Sequence, residues 1–308
     1  MEDVGKELNR IIKSRGIDGR YRQMMEEILA DEDVRQFIEE HKEKLTQADI
    51  EKSFAKLYEF VQEKKKYLAS DPTMIAPGYE PQLSLNFHFI DVTYVPTDEL
   101  LRLKREEEIR NRVNSLDMPK DIRNASIRTF DNTSGRLEAL AASLDFIDHY
   151  EEAPKQFHKA LYLVGGFGVG KTYLLGAVAH ELAVKGFETT LLHFPTFAGE
   201  MKQAISKDQV GPKLNEVKHA PILMIDDIGA DSMSAWIRDE VLGVILQYRM
   251  QEQLPTFFSS NFNMEQLEQH LSVTQRGDEE PLKAQRIMER IRYLSKEIFM
   301  VGENRRNG

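Results

Sequence analysis

The chain has 308 residues, 41% of them apolar and 30% charged, which suits a globular protein of up to two domains with ample material for a core. A formal net charge of −10 excludes a broadly basic nucleic-acid binder and confines any such contact to a local patch. There is no cysteine, hence no disulfide or thiolate metal site, and no apolar run approaches the roughly 18 residues of a membrane span. The opening Met1-Glu-Asp-Val lacks a signal peptide's basic and apolar regions, so the expected location is the cytoplasm.

Residues 1–68 are charged and helix-periodic. Tyr21, Met24, Met25, Ile28 and Leu29 recur at helical spacing, followed by Val34, Phe37 and Ile38, then by Ile50, Phe54, Leu57, Tyr58 and Val61. Such stripes make a small helical core, or one of them is a docking face for a partner helix. Pro72, Pro77 and Gly78 break the pattern. Gln82 to Leu85 and Phe89 to Val95 then alternate with period two, and the register switch predicts a β-hairpin turn near Asn86-Phe87. Residues 98–117 read as a charged helix ended by Pro119. The expected division is an N-terminal domain over 1–97, a linker helix over 98–125 and a second domain over 126–308.

From Ile127 the pattern becomes α/β. Leu137 to Tyr150 reads as a helix, Leu161 to Val164 as a buried strand and Tyr173 to Leu182 as the next helix. Glu188 to Phe194, Pro221 to Asp227 and Pro255 to Asn261 read as further strands, with Glu297 to Val301 a candidate fifth. Helices are expected over Phe197 to Ile205 and over Ala235 to Met250, the latter capped by Ser234 with Trp236 packed inside. Apolar strands alternating with helices imply a parallel sheet covered on both faces.

The chemistry concentrates at strand ends. Gly165-Gly166-Phe167-Gly168-Val169-Gly170-Lys171-Thr172 fits the phosphate-binding P-loop pattern in full, between a strand and a helix. Glycines let backbone N–H groups turn toward phosphate oxygens, and the helix N-terminus adds its positive dipole end. Lys171 would reach the β- and γ-phosphates of ATP, and the Thr172 hydroxyl would ligate Mg²⁺. Asp226 and Asp227 follow an apolar strand, at the edge where ligands of open α/β sheets collect. Asp226 would hold Mg²⁺, and Asp227 would orient or deprotonate the attacking water. Ser259-Ser260-Asn261 ends another strand in polar side chains, where Asn261 either positions that water or only serves the turn. Arg286 and Arg290 share one helix face. They are solvent-facing, or one of them, Arg290 first, is offered to a neighbouring molecule's γ-phosphate. Lys202, Lys207, Lys213 and Lys218, with Phe197 nearby, form either a grip for a single nucleic-acid strand or a solvated lysine face.

These stretches resemble the initiator and helicase-loader group of AAA+ ATPases, the DnaC/DnaI family. The likeness lies in Gly165 to Thr172, Leu223 to Ala230, Trp236 to Val241, Leu254 to Phe262 and Gly302 to Arg306, and more loosely in Asp31 to Phe37. It implies an AAA+ P-loop domain with a truncated lid, since the chain ends too soon after Asn261 for a full one. It also implies weak Mg²⁺-dependent ATPase activity, binding of single-stranded DNA, self-association through AAA+ interfaces, and an N-terminal domain that grips the replicative helicase hexamer. Asn261 then looks like sensor 1 and Arg290 like the arginine finger. Two other classes share the layout: a nucleotide-gated adaptor with negligible hydrolysis, and a transposition helper ATPase. One departure concerns the N-terminal domain, where Gram-positive relatives typically carry a Cys/His zinc cluster. The matching stretches here read Lys66 to Asp71 and Tyr94-Val-Pro96, with His88 the only histidine near. No zinc is expected, and apolar residues are expected to hold the hairpin instead.

Overall fold

The computed structural model describes residues 17–116, 122, 125–131, 133 and 135–305; the Tyr21 side chain, Pro119 and Arg306 lie outside the described residues. The chain divides into two compact units, Met1–Arg105 and Glu106–Gly308. No described helix is long and apolar enough to cross a membrane.

In the N-terminal unit the helical stripes become α1 (Ile17–Leu29), α2 (Glu32–Glu40), α3 (Gln47–Lys52) and α4 (Phe54–Leu68). Asp31 caps α2 by accepting from the Asp33 and Val34 amides, and its carboxylate also binds Lys64 Nζ on α4 at 3.0 Å. Thr46 and Asp49 form a capping box at α3. The stripe read from Ile50 to Val61 is two helices with Ser53 between them, and Tyr58 falls outside it at 41% exposed. Ile28, Val34, Ile50, Phe54, Leu57, Phe60 and Val61 make the core. The hairpin pairs β1 (Tyr79–Asn86) with β2 (Phe89–Pro96), and the turn falls on Phe87-His88, with Phe87 at φ 56°. A lone two-stranded hairpin is marginal in water. This one lays Ile90, Leu83, Leu85 and Val92 on the helical core.

Apolar packing is not its whole support. Ser53 Oγ donates to Asp49 O and accepts from the buried Ile90 amide at 2.9 Å. Glu63, buried on α4, accepts from the Ile75 amide and from Lys66 Nζ, both at 2.7 Å. That contact pins the loop before β1. Among the described residues no group of three or more His, Asp and Glu side chains is placed to hold a metal.

The charged helix α5 runs over Asp98–Arg112, buries none of its residues and ends sooner than its charge pattern predicts. Val113–Leu116 form β3, a parallel edge strand paired with Thr189–Leu192. Asn114 and Ser115 are poor helix formers, and the open edge of a sheet offers them a full row of backbone partners.

The C-terminal unit is a six-stranded parallel sheet in the order β3-β5-β6-β7-β4-β8. Its further strands are β4 (Ala160–Val164), β5 (Thr189–His193), β6 (Ile222–Asp226), β7 (Thr256–Ser260) and β8 (Ser295–Phe299). Side chains alternate between faces along each strand. Leu161, Leu163, Met224 and Phe257 meet α6 (Leu137–Glu152) and α7 (Lys171–Val184) on one face. Tyr162, Leu223, Ile225 and Phe258 meet the other face's helices: α8 (Phe194–Ile205), α9 (Val210–Lys218), α10 (Gly243–Gln251), α11 (Met264–Ser272) and α12 (Pro281–Leu294). The long helix expected from Ala235 carries a π-helical stretch, Ile237–Leu242, before α10. Ser234 Oγ accepts from the Ile237 amide, and Trp236 packs half-buried on the core. Arg238 in the π-helical stretch is buried and held by Asp239, Glu280 and Leu271 O.

Candidate nucleotide site

Every strand of a parallel sheet points the same way, so the loops after β4, β6 and β7 share one edge. Gly165 leaves β4 with its amide bonded to Ser260 O, and a side chain there would collide with Met300 O. Gly168 and Gly170 take φ of 72° and 100°, left-handed values that suit glycine. The loop then enters α7 with Lys171 buried at its N-terminus.

The structure brings four of the candidate residues into two contacting pairs. Lys171 Nζ donates to Asn261 Oδ1 at 2.7 Å, and to Gly165 O and Gly166 O at 2.8 and 2.9 Å. Thr172 Oγ1 donates to both carboxylate oxygens of Asp226 at 3.0 Å. Asp226 is 2% exposed, and burial pushes its carboxyl above the ordinary aspartate range despite donors from Ser259 and Thr172. A half-buried hydroxyl beside a buried carboxylate is an oxygen donor set suited to Mg²⁺, and an ammonium ringed by loop carbonyls is one ready to exchange them for phosphate oxygens.

Ser259 ties the two acidic residues together. Its Oγ donates to Asp226 Oδ1 at 2.5 Å and accepts from the Asp227 amide at 3.0 Å. Asp227 sits at φ 60°, a left-handed value that aspartate tolerates better than most side chains. Its carboxylate is a third exposed and lies 3.9 Å from His193 Nε2. Ser260 Oγ reaches across to Ile228 O at 2.6 Å, locking the end of β7 to that of β6. The Ser259-Ser260 pair thus does more than turn chemistry: it sets the backbone that presents Asp227 and Asn261.

Two features escaped the sequence reading. The segment after β8 lies against the P-loop: Met300 N donates to Val164 O at 2.6 Å and Arg305 N to Gly168 O at 3.2 Å. A Cβ on Gly168 would collide with the Asn304 side chain. On the loop's other flank, Phe130 approaches Gly170, and Tyr173 OH meets Thr129 Oγ1 at 2.7 Å. Phe167 projects from the loop, 69% exposed.

Arg290 stands apart from these groups. It lies late on α12, one turn before the helix delivers β8 to the start of β4, which is the end of the sheet opposite the P-loop. Its Nη1 donates to Gly243 O at 2.9 Å, and partial burial with Arg286 nearby lowers its pKa from the ordinary arginine value. Arg286 is exposed. Phe197 is 3% exposed in the core, so it is not available to stack on bases in the grip that is one of the two readings of this segment. The lysines are also not equivalent: Lys213 is ion-paired with Glu200 and Lys218 lies over the Tyr248 ring, whereas Lys202 lines a cavity of about 220 Å³ beside Asp227.

Residues 1–94 match a family described as the primosomal protein DnaI N-terminus, and residues 81–307 match one described as IstB-like ATP binding protein. The chain is 40% identical over its full length to the replicative helicase loader DnaI of Bacillus subtilis (strain 168), and covers 100% of it. A crystal structure of DnaI is 44% identical, with a TM-score of 0.55 over 64% of this chain and 99% of that one. The crystal structure of the DnaC helicase loader, at 21% identity and a TM-score of 0.51, covers 59% of this chain and 100% of that one, and shares the fold.

Proposed function

Because the chain belongs to the DnaI family of replicative helicase loaders, with an AAA+ fold and an IstB-like ATP-binding domain, we propose that it is an ATP-dependent loader of the replicative DNA helicase. In this reading the C-terminal unit binds ATP with Mg²⁺ and single-stranded DNA and hydrolyses ATP weakly. The N-terminal domain, residues 1–97, grips the helicase hexamer, and the assembly delivers it to DNA. The observation that carries the reading is the meeting of Lys171 with Asn261 beside the Thr172–Asp226 pair, at the end of a parallel sheet.

The chemistry follows from those contacts. Lys171 exchanges the Gly165 and Gly166 carbonyls for phosphate oxygens and stays anchored through Asn261. Thr172 and Asp226 are the residues that would hold Mg²⁺, which neutralises charge building on the phosphates. Asp227, fixed through its amide by Ser259, orients the attacking water. Arg290, being far from its own P-loop, serves a neighbouring molecule's γ-phosphate across an AAA+ interface.

Asp227 itself supports a second reading, a nucleotide-gated adaptor, because many such ATPases carry the longer glutamate there. Steady-state hydrolysis with and without single-stranded DNA separates the two; equal background rates for wild type and Lys171→Ala favour the adaptor. The transposition-helper reading is disfavoured by the DnaI match of residues 1–94. The loader reading is tested by mixing the full chain with the replicative helicase of the same organism, with and without ATP. A complex that forms with the full chain and is lost when residues 1–97 are deleted is expected. Binding to a transposase and not to the helicase would overturn it.

A further inference from the structure

Residues 300–305, which follow β8, form a strap bound along its length to β4, to the stretch before α6 and to the P-loop. Met300 N donates to Val164 O at 2.6 Å, Val301 N to Gly135 O at 2.9 Å, and Arg136 Nη2 to Glu303 O at 3.4 Å. Arg305 N then donates to Gly168 O at 3.2 Å, and its guanidinium pairs with Asp131. Arg136 is buried, and a Cβ on Gly302 would come within 2.8 Å of its Nη2. Asp131 also accepts from Arg136 Nη1 at 3.4 Å, so one carboxylate serves both arginines that seat the strap.

The bond from Arg305 falls on a residue whose own backbone does little to fix the peptide after it. Gly168 is at φ 72° and has no side chain to restrain rotation. A trans peptide is rigid, and its C=O and N–H point opposite ways. Holding Gly168 O on the side of the strap therefore turns the Val169 N–H to the other side. Asn304 fills the space that a Cβ on Gly168 would need, so glycine and strap are fitted to each other.

We infer that the strap is a positioning element of the nucleotide site: the Arg305 amide fixes the Gly168–Val169 peptide with its N–H turned into the loop, ready to donate to a phosphate oxygen. The inference rests on the reading of Gly165 to Thr172 as an ATP site. The Arg305 side chain, engaged by Asp131, seats the amide and takes no part in the phosphate contacts. A peptide already held in its binding orientation does not have to be ordered when nucleotide arrives, and that ordering is worth roughly tenfold in affinity. The coupling is reciprocal, so bound nucleotide also holds the strap down.

The test uses full-length protein, a fluorescent ATP analogue with Mg²⁺, and steady-state hydrolysis of ATP. Arg305→Pro removes the amide donor. It is expected to weaken analogue binding and to raise KM by roughly tenfold, with kcat at saturating ATP and the thermal midpoint unchanged. Competition by ADP should weaken equally, because the amides of such a loop cradle the α- and β-phosphates. Arg305→Ala keeps the amide and loses only the pair with Asp131, so its affinity should fall by no more than about threefold. In wild type, the analogue should slow amide hydrogen exchange across residues 300–305, a readout that stands even where Arg305→Pro fails to fold. Unchanged affinity in Arg305→Pro, or exchange in the strap that ignores the analogue, would overturn the inference. So would a fall in kcat on Arg305→Ala at unchanged affinity, which would put the guanidinium and not the amide on the phosphates. A wild-type chain that binds no analogue overturns instead the functional reading beneath it.

Discussion

In the N-terminal unit the buried polar side chains among the described residues are Ser53 and Glu63, and each holds a backbone amide, of Ile90 and of Ile75. In the C-terminal unit, Lys171, Asp226, Ser259 and Ser260 are buried together at one edge of the sheet, where Lys171 and Asp226 bind other side chains. A side chain bound to a backbone amide cannot let go without leaving that amide unsatisfied in the interior. A lysine anchored by an asparagine can exchange its loop carbonyls for incoming phosphate oxygens, and a threonine beside an aspartate can share an incoming cation with it. The first kind of burial holds a shape, and the second holds a site. Arg249 shows that the distinction is one of partners and not of units. It is wholly buried in the C-terminal unit, it donates to the Lys218, Ala220 and Pro255 carbonyls and to Thr256, and burial lowers its pKa to about 9.

Substitutions in the two units should therefore fail in different ways. The largest effect belongs to a residue outside both groups. Arg290→Ala should cut hydrolysis by the assembled protein by about 10³-fold, as expected for an arginine acting on a neighbour's phosphate, with ATP binding unchanged. Normal turnover by this variant, measured at concentrations where the protein self-associates, would remove Arg290 from the site. Ser53→Ala leaves the Ile90 amide buried without its acceptor and should cost the N-terminal unit about 1–3 kcal/mol, with no change in nucleotide binding. Chemical denaturation followed by a probe on the hairpin reads this directly.

A smaller effect is expected from Glu63. Burial favours its neutral form, but Lys66 and the Ile75 amide outweigh that and hold its carboxyl below the ordinary value of 4.5. The folded state then binds a proton less readily than the unfolded chain. The stabilisation is complete above about pH 4.5 and is lost as pH falls through the depressed pKa. Glu63→Gln should cost about 1 kcal/mol at neutral pH and flatten the acid limb of the N-terminal transition. An unchanged acid limb would show that another carboxylate governs it.

How much of this was legible in sequence depended on whether a signal was local. The P-loop, the Asp226-Asp227 pair and the Ser259 to Asn261 stretch are contiguous, and each sits at the end of an apolar run, so strand and chemistry announce each other. The strand β3 was missed because Val113–Leu116 is short, half polar and appended to a strongly charged helix. Only its partner, Thr189–Leu192, makes it a strand. Phe197 was offered to nucleic acid because helical spacing does not tell a buried face from an exposed one when lysines lie on both sides. The approach of His193 to Asp227 gave no signal, since the two are 34 positions apart and meet only because their strands are neighbours. The contact of Arg305 with Gly168 is longer-range still. Ser53 and Glu63 looked like ordinary members of charged helices, and nothing in a helical repeat marks the residue that will bind a passing amide.

The central claim is that the Lys171–Asn261 and Thr172–Asp226 pairs form a site in which Lys171 exchanges its loop carbonyls for the phosphates of ATP. The measurement that tests it most directly is a titration of a fluorescent ATP analogue, with Mg²⁺ present, into full-length wild type and Lys171→Ala. Saturable binding to wild type is predicted. Removing a charged donor should weaken it by roughly a hundredfold in the variant, about 3 kcal/mol, with the unfolding of the N-terminal unit unaltered. Equal affinity in the two proteins, or no saturable binding to wild type, would contradict the account.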